Sequence, residues 1–254
     1  VIVDTKIVEE KASEEVKAAV KETVTVTEEK ATVTKDTVEK VMENTEKGAT
    51  VILPLTEAAD GQAVKAAEVP VESIEKIATA DSALTVEFEG AKVTFEPETL
   101  KAIASSANGA TIELHVTPVE EYELNDEQQA VLARHDVALR ISAKILCNGE
   151  YIGNFGEGKA RIAVPFTPEA GRNAEDYRVY YVAEIGDMSK VPSVYVDGHM
   201  ILETDHFSEY AIVYEGESEV EEESAVTEEA VTEETTAEEA PVEEAVVEKA
   251  GTPI

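Results

Sequence analysis

The chain has 254 residues, with 55 Asp and Glu against 21 Lys and Arg, a formal net charge of -34 at pH 7 and a single cysteine. So large an acidic surplus excludes a nucleic-acid partner held through its phosphates and argues against docking on anionic membranes, because both need clustered Lys and Arg. Cys147 alone excludes an internal disulfide and a cysteine-based zinc site, and no run approaches the roughly 20 apolar residues of a membrane span, so no membrane insertion is expected. The length is enough to bury a sizeable core, as one large domain or two ordinary ones. The chain opens on Val1 without a signal-like segment and is expected to be a mature form or an excised piece.

Residues 1–22 read as a lead: a worn strand over 1–5 and a helix over 8–21. Residues 23–118 repeat a strand–helix–strand unit. ATVTKDTVEKVMENTEKGAT at 31–50 aligns with AKVTFEPETLKAIASSANGAT at 91–111, allowing a one-residue insertion. They continue into the apolar strands VILPL (51–55) and IELHV (112–116), and a shorter copy runs from Val69 to Gly90. Asp36, Glu72 and Glu96 mark the helix starts, since an acidic side chain suits the positive end of a helix, and Pro97 is tolerated in a first turn. Apolar pairs three residues apart follow, Val38/Val41, Ile74/Ile77 and Leu100/Ile103, and this spacing puts both members on one face. Such short, one-striped helices must pack on a sheet. Gly48 and Gly109 fall where a helix stops and the next strand begins.

Residues 119–215 change character. NDEQQAVLARH (125–135) predicts a short helix, and strands follow at 136–147, 158–166, 177–185, 193–196, 199–204 and 207–214. Asn148-Gly149 and Asp197-Gly198 are strong two-residue hairpin signals. Short strands joined by turns predict an antiparallel, sandwich-like unit, making the whole chain α+β. Residues 216–254 hold 14 Glu and one Lys, a net of -13, with no aromatic residue. A segment of this composition cannot bury enough apolar surface to offset its ordering entropy, so a disordered acidic spacer is expected, with loose cation binding by the Glu pairs as the alternative.

The order VTFEPETLKAIA (93–104), LNDEQQAVL (124–132), YIGNFGEGKARIAVPFTPEAGRNAEDYRVYYV (151–182) and TDHFSEYAIVY (204–214) resembles a module of large Gram-positive bacterial surface proteins. That module is found beside S-layer homology, bacterial Ig-like or dockerin domains. It closes on a His-Phe-Ser/Thr-x-Tyr-Ala strand, here His206, Phe207, Ser208, Tyr210 and Ala211, and the resemblance spans residues 30–215. Cys147-Asn148-Gly149 departs from the Ser/Gly-rich turn usual there, and no S-layer homology repeat lies within the chain. The resemblance implies export to the cell surface and a structural, spacing or display role. The implied partners are neighbouring surface-protein domains or the cell wall, and no catalytic residues carry over.

His206-Phe207-Ser208 is the sharpest chemical signal. Some unrelated β-sandwich domains cut themselves at His-Phe-Ser: the Ser hydroxyl attacks the preceding carbonyl, an ester forms and water releases it. Ser208 would attack the Phe207 carbonyl with His206 as base, provided the backbone is strained. The competing reading makes Phe207 a core residue of the closing strand, with His206 and Ser208 bonded locally. Asp197, His199, Asp205 and His206 are near in sequence, but alternation along a strand separates Asp205 from His206, and zinc needs three or four convergent ligands. No metal and no cofactor are expected. His115 and the pair His135-Asp136 are isolated. Cys147 reads as a small buried hydrophobe. Gly153–Gly158 opens no helix and so is not a phosphate cradle. Tyr177, Tyr180, Tyr181 and Tyr195 suit strand packing, with stacking on sugars as the alternative. The expected function is a non-catalytic extracellular spacer; the alternatives are an adhesin or scaffold contact with glycan or protein, and self-cleavage at Phe207-Ser208. The sequence sets no oligomeric state.

Overall fold

The side chains of Ser13, Thr34 and Asn125 cap the starts of three helices among the described residues. The computed structural model describes residues 3–55, 64–119 and 123–216. Two helices come first, α1 (Lys6–Glu9) and α2 (Glu14–Thr23), followed by the hairpin strands β1 (Thr25–Thr27) and β2 (Lys30–Thr32). Three strand–helix–strand units then run β2–α3 (Lys35–Glu43)–β3 (Val51–Pro54), β4 (Ala66–Pro70)–α4 (Val71–Thr79)–β5 (Leu84–Phe88), and β6 (Ala91–Phe95)–α5 (Pro97–Ser106)–β7 (Thr111–Pro118). The remainder is α6 (Asp126–Leu132), β8 (Asp136–Cys147), β9 (Glu150–Tyr151), β10 (Ala160–Pro165), β11 (Tyr177–Val182), β12 (Met188–Val191), β13 (Ser193–Val196), β14 (His199–Thr204) and β15 (Glu209–Tyr214).

Thr34 caps α3 by accepting from Thr37 N at 3.1 Å, and Asn125 caps α6 by accepting from Gln128 N at 2.9 Å. Both are reciprocal capping boxes, which satisfy amides the first turn otherwise leaves open. Pro97 occupies the first turn of α5. The apolar pairs Val38/Val41, Ile74/Ile77 and Leu100/Ile103 are all buried.

The two sheets are mixed. One runs β1-β2-β4-β7-β8-β15-β11-β12, with β9 hydrogen-bonded to β8; the other runs β13-β14-β10-β6-β5-β3. Two pairs, β2/β4 and β3/β5, are parallel, and the others are antiparallel. Each strand–helix–strand unit starts in one sheet and ends in the other, so every connecting helix hands the chain across. Strands of 23–118 and of 119–215 share both sheets through β7/β8 and β6/β10. The change of sequence character at 118/119 therefore falls inside shared sheets.

One large core cluster draws on both sheets and on α2–α5. A smaller cluster forms where Leu124 and Leu132, at and near α6, cover Val182, Ala211 and Val213. A third forms where Val3 and Ile7 lie on Ala163 and Ile201. That last contact corrects the expected strand at 1–5. Residues 3–5 are not extended as a strand, and Val3 and Ile7, four apart, share the face that meets the sheet. The helix expected over 8–21 is broken at 10–13, where Ser13 accepts from Val16 N at 3.3 Å and restarts it as α2. The short, half-exposed β12 has no apolar run and forms by pairing with β11. The Glu-rich tail at 217–254 lies outside the described residues.

Candidate functional site: the turn into the closing strand

β14 ends at Thr204, and residues 205–208 lead into β15, which lies between β8 and β11. Nearly every backbone group of this turn is occupied. The Thr204 hydroxyl donates to His206 O at 2.8 Å, and the Tyr210 hydroxyl donates to the same oxygen at 2.5 Å. Phe207 N donates to Gly153 O at 3.1 Å, Phe155 N to Asp205 O at 2.9 Å, and Ala143 N to Ser208 O at 2.9 Å. The Tyr151 hydroxyl donates to Phe207 O. Phe207 is 1% exposed and meets Phe155 edge-on at 5.0 Å and Phe95 at 5.7 Å between ring centroids.

Burial sets the acid–base character here. Desolvation pushes the Tyr210 phenol well above its ordinary range. Tyr151 is half exposed, yet desolvation about its hydroxyl, reinforced by Glu209, pushes it up to about 12. Both phenols therefore keep their protons and act as donors at neutral pH. Tyr210→Phe removes one of two donors to His206 O, so it should cost about 1 kcal/mol. On a domain of this size that is roughly 2–4 °C in melting temperature, and thermal denaturation reads it directly.

The His206 ring donates from Nδ1 to Asp205 Oδ1 at 2.9 Å and stands edge-on to Tyr181 at 4.7 Å. Lys159 Nζ holds the other Asp205 oxygen at 3.0 Å. His206 first and Lys159 second hold the Asp205 carboxyl below its ordinary value. A carboxyl depressed in the folded state adds stability above its unfolded pKa, and that stability is lost as pH falls through the folded one. The contribution should disappear at pH values below 3.8. Asp205→Asn should flatten that part of an acid-unfolding curve and leave its neutral plateau nearly level, because half-exposed pairs contribute little.

Self-cleavage needs His206 beside Ser208 and a strained scissile segment. The His206 ring is bonded to Asp205, with no hydrogen bond to Ser208, and none of residues 205–208 is among those at positive φ. One feature fits the chemistry: Tyr151 donates to the carbonyl that Ser208 would attack.

The four metal candidates do not converge. His199 begins β14, with Nδ1 2.9 Å from Asp197 O, while Asp205 and His206 lie past the far end, about 20 Å away at 3.3 Å per residue. Asp205 and His206 do meet, contrary to the alternation argument, because the strand has already ended at Thr204. Among the described residues no three His, Cys, Asp or Glu side chains gather as a metal would need.

Cys147 is buried, its thiol donating to Thr111 O at 3.3 Å. His115 Nε2 lies 3.4 Å from Glu113, His135 stacks on Tyr180, and Asp136 pairs with Arg172 at 2.7 Å. Gly153–Gly158 is a loop that sends Phe155 into the core. Two of the four tyrosines share a neighbour, Phe166, and the other two do not. Tyr177 lies in the core against Phe166 and Tyr214, Tyr195 meets Phe166, Tyr181 meets His206, and Tyr180 sits on the opposite face of β11. They form no common platform.

Sequence reasoning did not find the exit from β15. Glu215 N donates to Asp176 O at 2.9 Å, and its carboxylate accepts from Lys190 at 2.8 Å and from the Tyr180 hydroxyl. Arg172 lies over the Tyr214 ring at 4.3 Å. Nor does any local signal point to Tyr151, which lies 56 residues from its partner Phe207. The motif His206-Phe207-Ser208-x-Tyr210 holds both ends of one of these bonds, from the Tyr210 hydroxyl to His206 O. No protein-family model matches this chain, and no curated protein matches it.

Proposed function

We propose that this chain is a non-catalytic, extracellular structural spacer of a bacterial surface protein, standing between its acidic tail and neighbouring domains of that protein. The observation that carries this reading is the position of β15. It sits inside the sheet between β8 and β11, and its exit is held by the Glu215 and Tyr214 contacts. A strand with ladders on both sides must break both to leave, so pull on the tail would be resisted by the body of the sheet. The two sheets, sharing one core and closed by a tyrosine bonded back to a backbone carbonyl four residues upstream, support a sandwich-like arrangement of the C-terminal strands. Mixing the purified chain with sedimented bacterial wall fragments tests the reading: a spacer stays in the supernatant. Retention on the pellet would favour the adhesin reading instead.

Self-cleavage is the second reading, favoured by the Tyr151 hydroxyl on the Phe207 carbonyl. It predicts that Ser208→Ala abolishes a cut seen in the parent chain. If parent and variant give the same single chain on a denaturing gel, this reading fails.

A further inference from the structure

Two Asn-Gly pairs, Asn108-Gly109 and Asn148-Gly149, face each other where the α5–β7 connection meets the β8–β9 hairpin. Asn148 Nδ2 donates to Asn108 O at 3.2 Å and lies 3.4 Å from Asn108 Oδ1, while Asn108 Nδ2 donates to the Glu150 carboxylate. The approach is close: a Cβ on Gly109 would stand 2.6 Å from Asn148 Nδ2, and only the end of that exposed side chain would have to move. Both asparagines are exposed.

From this juxtaposition we infer that Asn108-Gly109 is a site of spontaneous backbone-assisted deamidation, and that its product loosens the contact between the two turns. The Gly109 amide gives its proton to solvent base, and its nitrogen bonds to Asn108 Cγ. The Cγ–Nδ2 bond breaks, and the departing NH2 takes one proton from solvent, matching the one given up, and leaves as ammonia. Water then opens the five-membered imide to aspartate or isoaspartate, so the net reaction consumes one water and releases one ammonia.

The fold separates the two pairs chemically. Gly109 N has no hydrogen-bond partner among the described residues, carries no side chain to obstruct attack, and lies outside helix and strand. Asn148 and Gly149 are held at φ 53 and φ 78 in a two-residue turn closed by the Cys147–Glu150 pair. Ring closure there requires rotation about the Asn148 Cα–C bond, which that turn forbids. Asn108 therefore reacts in the folded chain while Asn148 is protected.

The consequence follows from charge. The product replaces an amide donor to Glu150 with a carboxylate, so a hydrogen bond becomes a like-charge contact. The isoaspartate form also adds a methylene to the main chain beside Gly109, lengthening the turn whose Asn108 O accepts from Asn148 Nδ2.

The full chain, incubated folded at mildly alkaline pH beside a urea-unfolded control, is digested and its peptides weighed. The expected result is conversion at Asn108 with Asn148 intact in the folded sample, and conversion at both in urea. A melting temperature falling with incubation is expected in the parent, and no fall in Asn108→Gln. An intact Asn108 after the control has reacted, or an Asn148 that reacts first, overturns the site. Conversion at Asn108 with an unchanged melting temperature overturns the loosening.

Discussion

Phe207→Ala should lower the stability of the folded chain by about 3–5 kcal/mol, the usual cost of removing a buried aromatic ring and leaving its cavity. The ring is 1% exposed and closes a three-phenylalanine cluster with Phe95 from β6 and Phe155 from the 153–158 loop. It thus joins the second sheet to the segment that leads into β15. The expected fall in melting temperature is roughly 6–20 °C. Because domains have only about 5–15 kcal/mol in all, part of the population should be unfolded at physiological temperature. Equilibrium denaturation in urea, with unchanged slope and a lowered midpoint, measures it. A loss below about 1 kcal/mol would mean that Phe207 is not the core residue the cluster makes it.

Gly158→Ala should be the second large effect, and its cause is contact. A Cβ there would stand 2.5 Å from the Thr99 backbone nitrogen and 2.7 Å from its Cα, in the first turn of α5. Nearby, Thr99 Oγ1 donates to Lys159 O at 2.6 Å and Glu96 N donates to the same oxygen at 3.2 Å. Neither backbone can yield without breaking these bonds, so a cost of about 1–3 kcal/mol or more is expected. Gly156→Ala is the informative comparison, since its Cβ meets nothing but its φ is +64°. Its cost should be only the roughly 1–2 kcal/mol of a left-handed residue. Urea midpoints of the two variants separate close contact from backbone strain, and a Gly158→Ala protein as stable as the parent would contradict the contact.

What could be read from the sequence was local. Asn148-Gly149 and Asp197-Gly198 adopt positive φ at both turn positions, as a mirror-image two-residue turn demands. Helix starts at Asp36 and Pro97 and the buried apolar pairs follow from short-range spacing, and the α+β class follows with them. The non-local half was hidden. Nothing in a strand–helix–strand repeat says that its two strands belong to different sheets, or that β2/β4 and β3/β5 run parallel. The β12 strand carries no apolar pattern because pairing with β11 makes it a strand. At the closing turn, His206, Phe207 and Ser208 were legible as a motif, yet their surroundings come from distant chain. Tyr151, Gly153 and Ala143 take up the backbone groups, and Lys159 holds the Asp205 carboxylate that accepts from the histidine. The decisive features of this site are hydrogen-bond partners, and these depend on folding rather than on spacing.

A structural closure at the turn into β15 is tested most directly by the intact mass of the purified chain under denaturing conditions. It predicts a single species at 27.4 kDa. Two species dividing the chain between Phe207 and Ser208 would contradict it and make the closing turn a reactive centre.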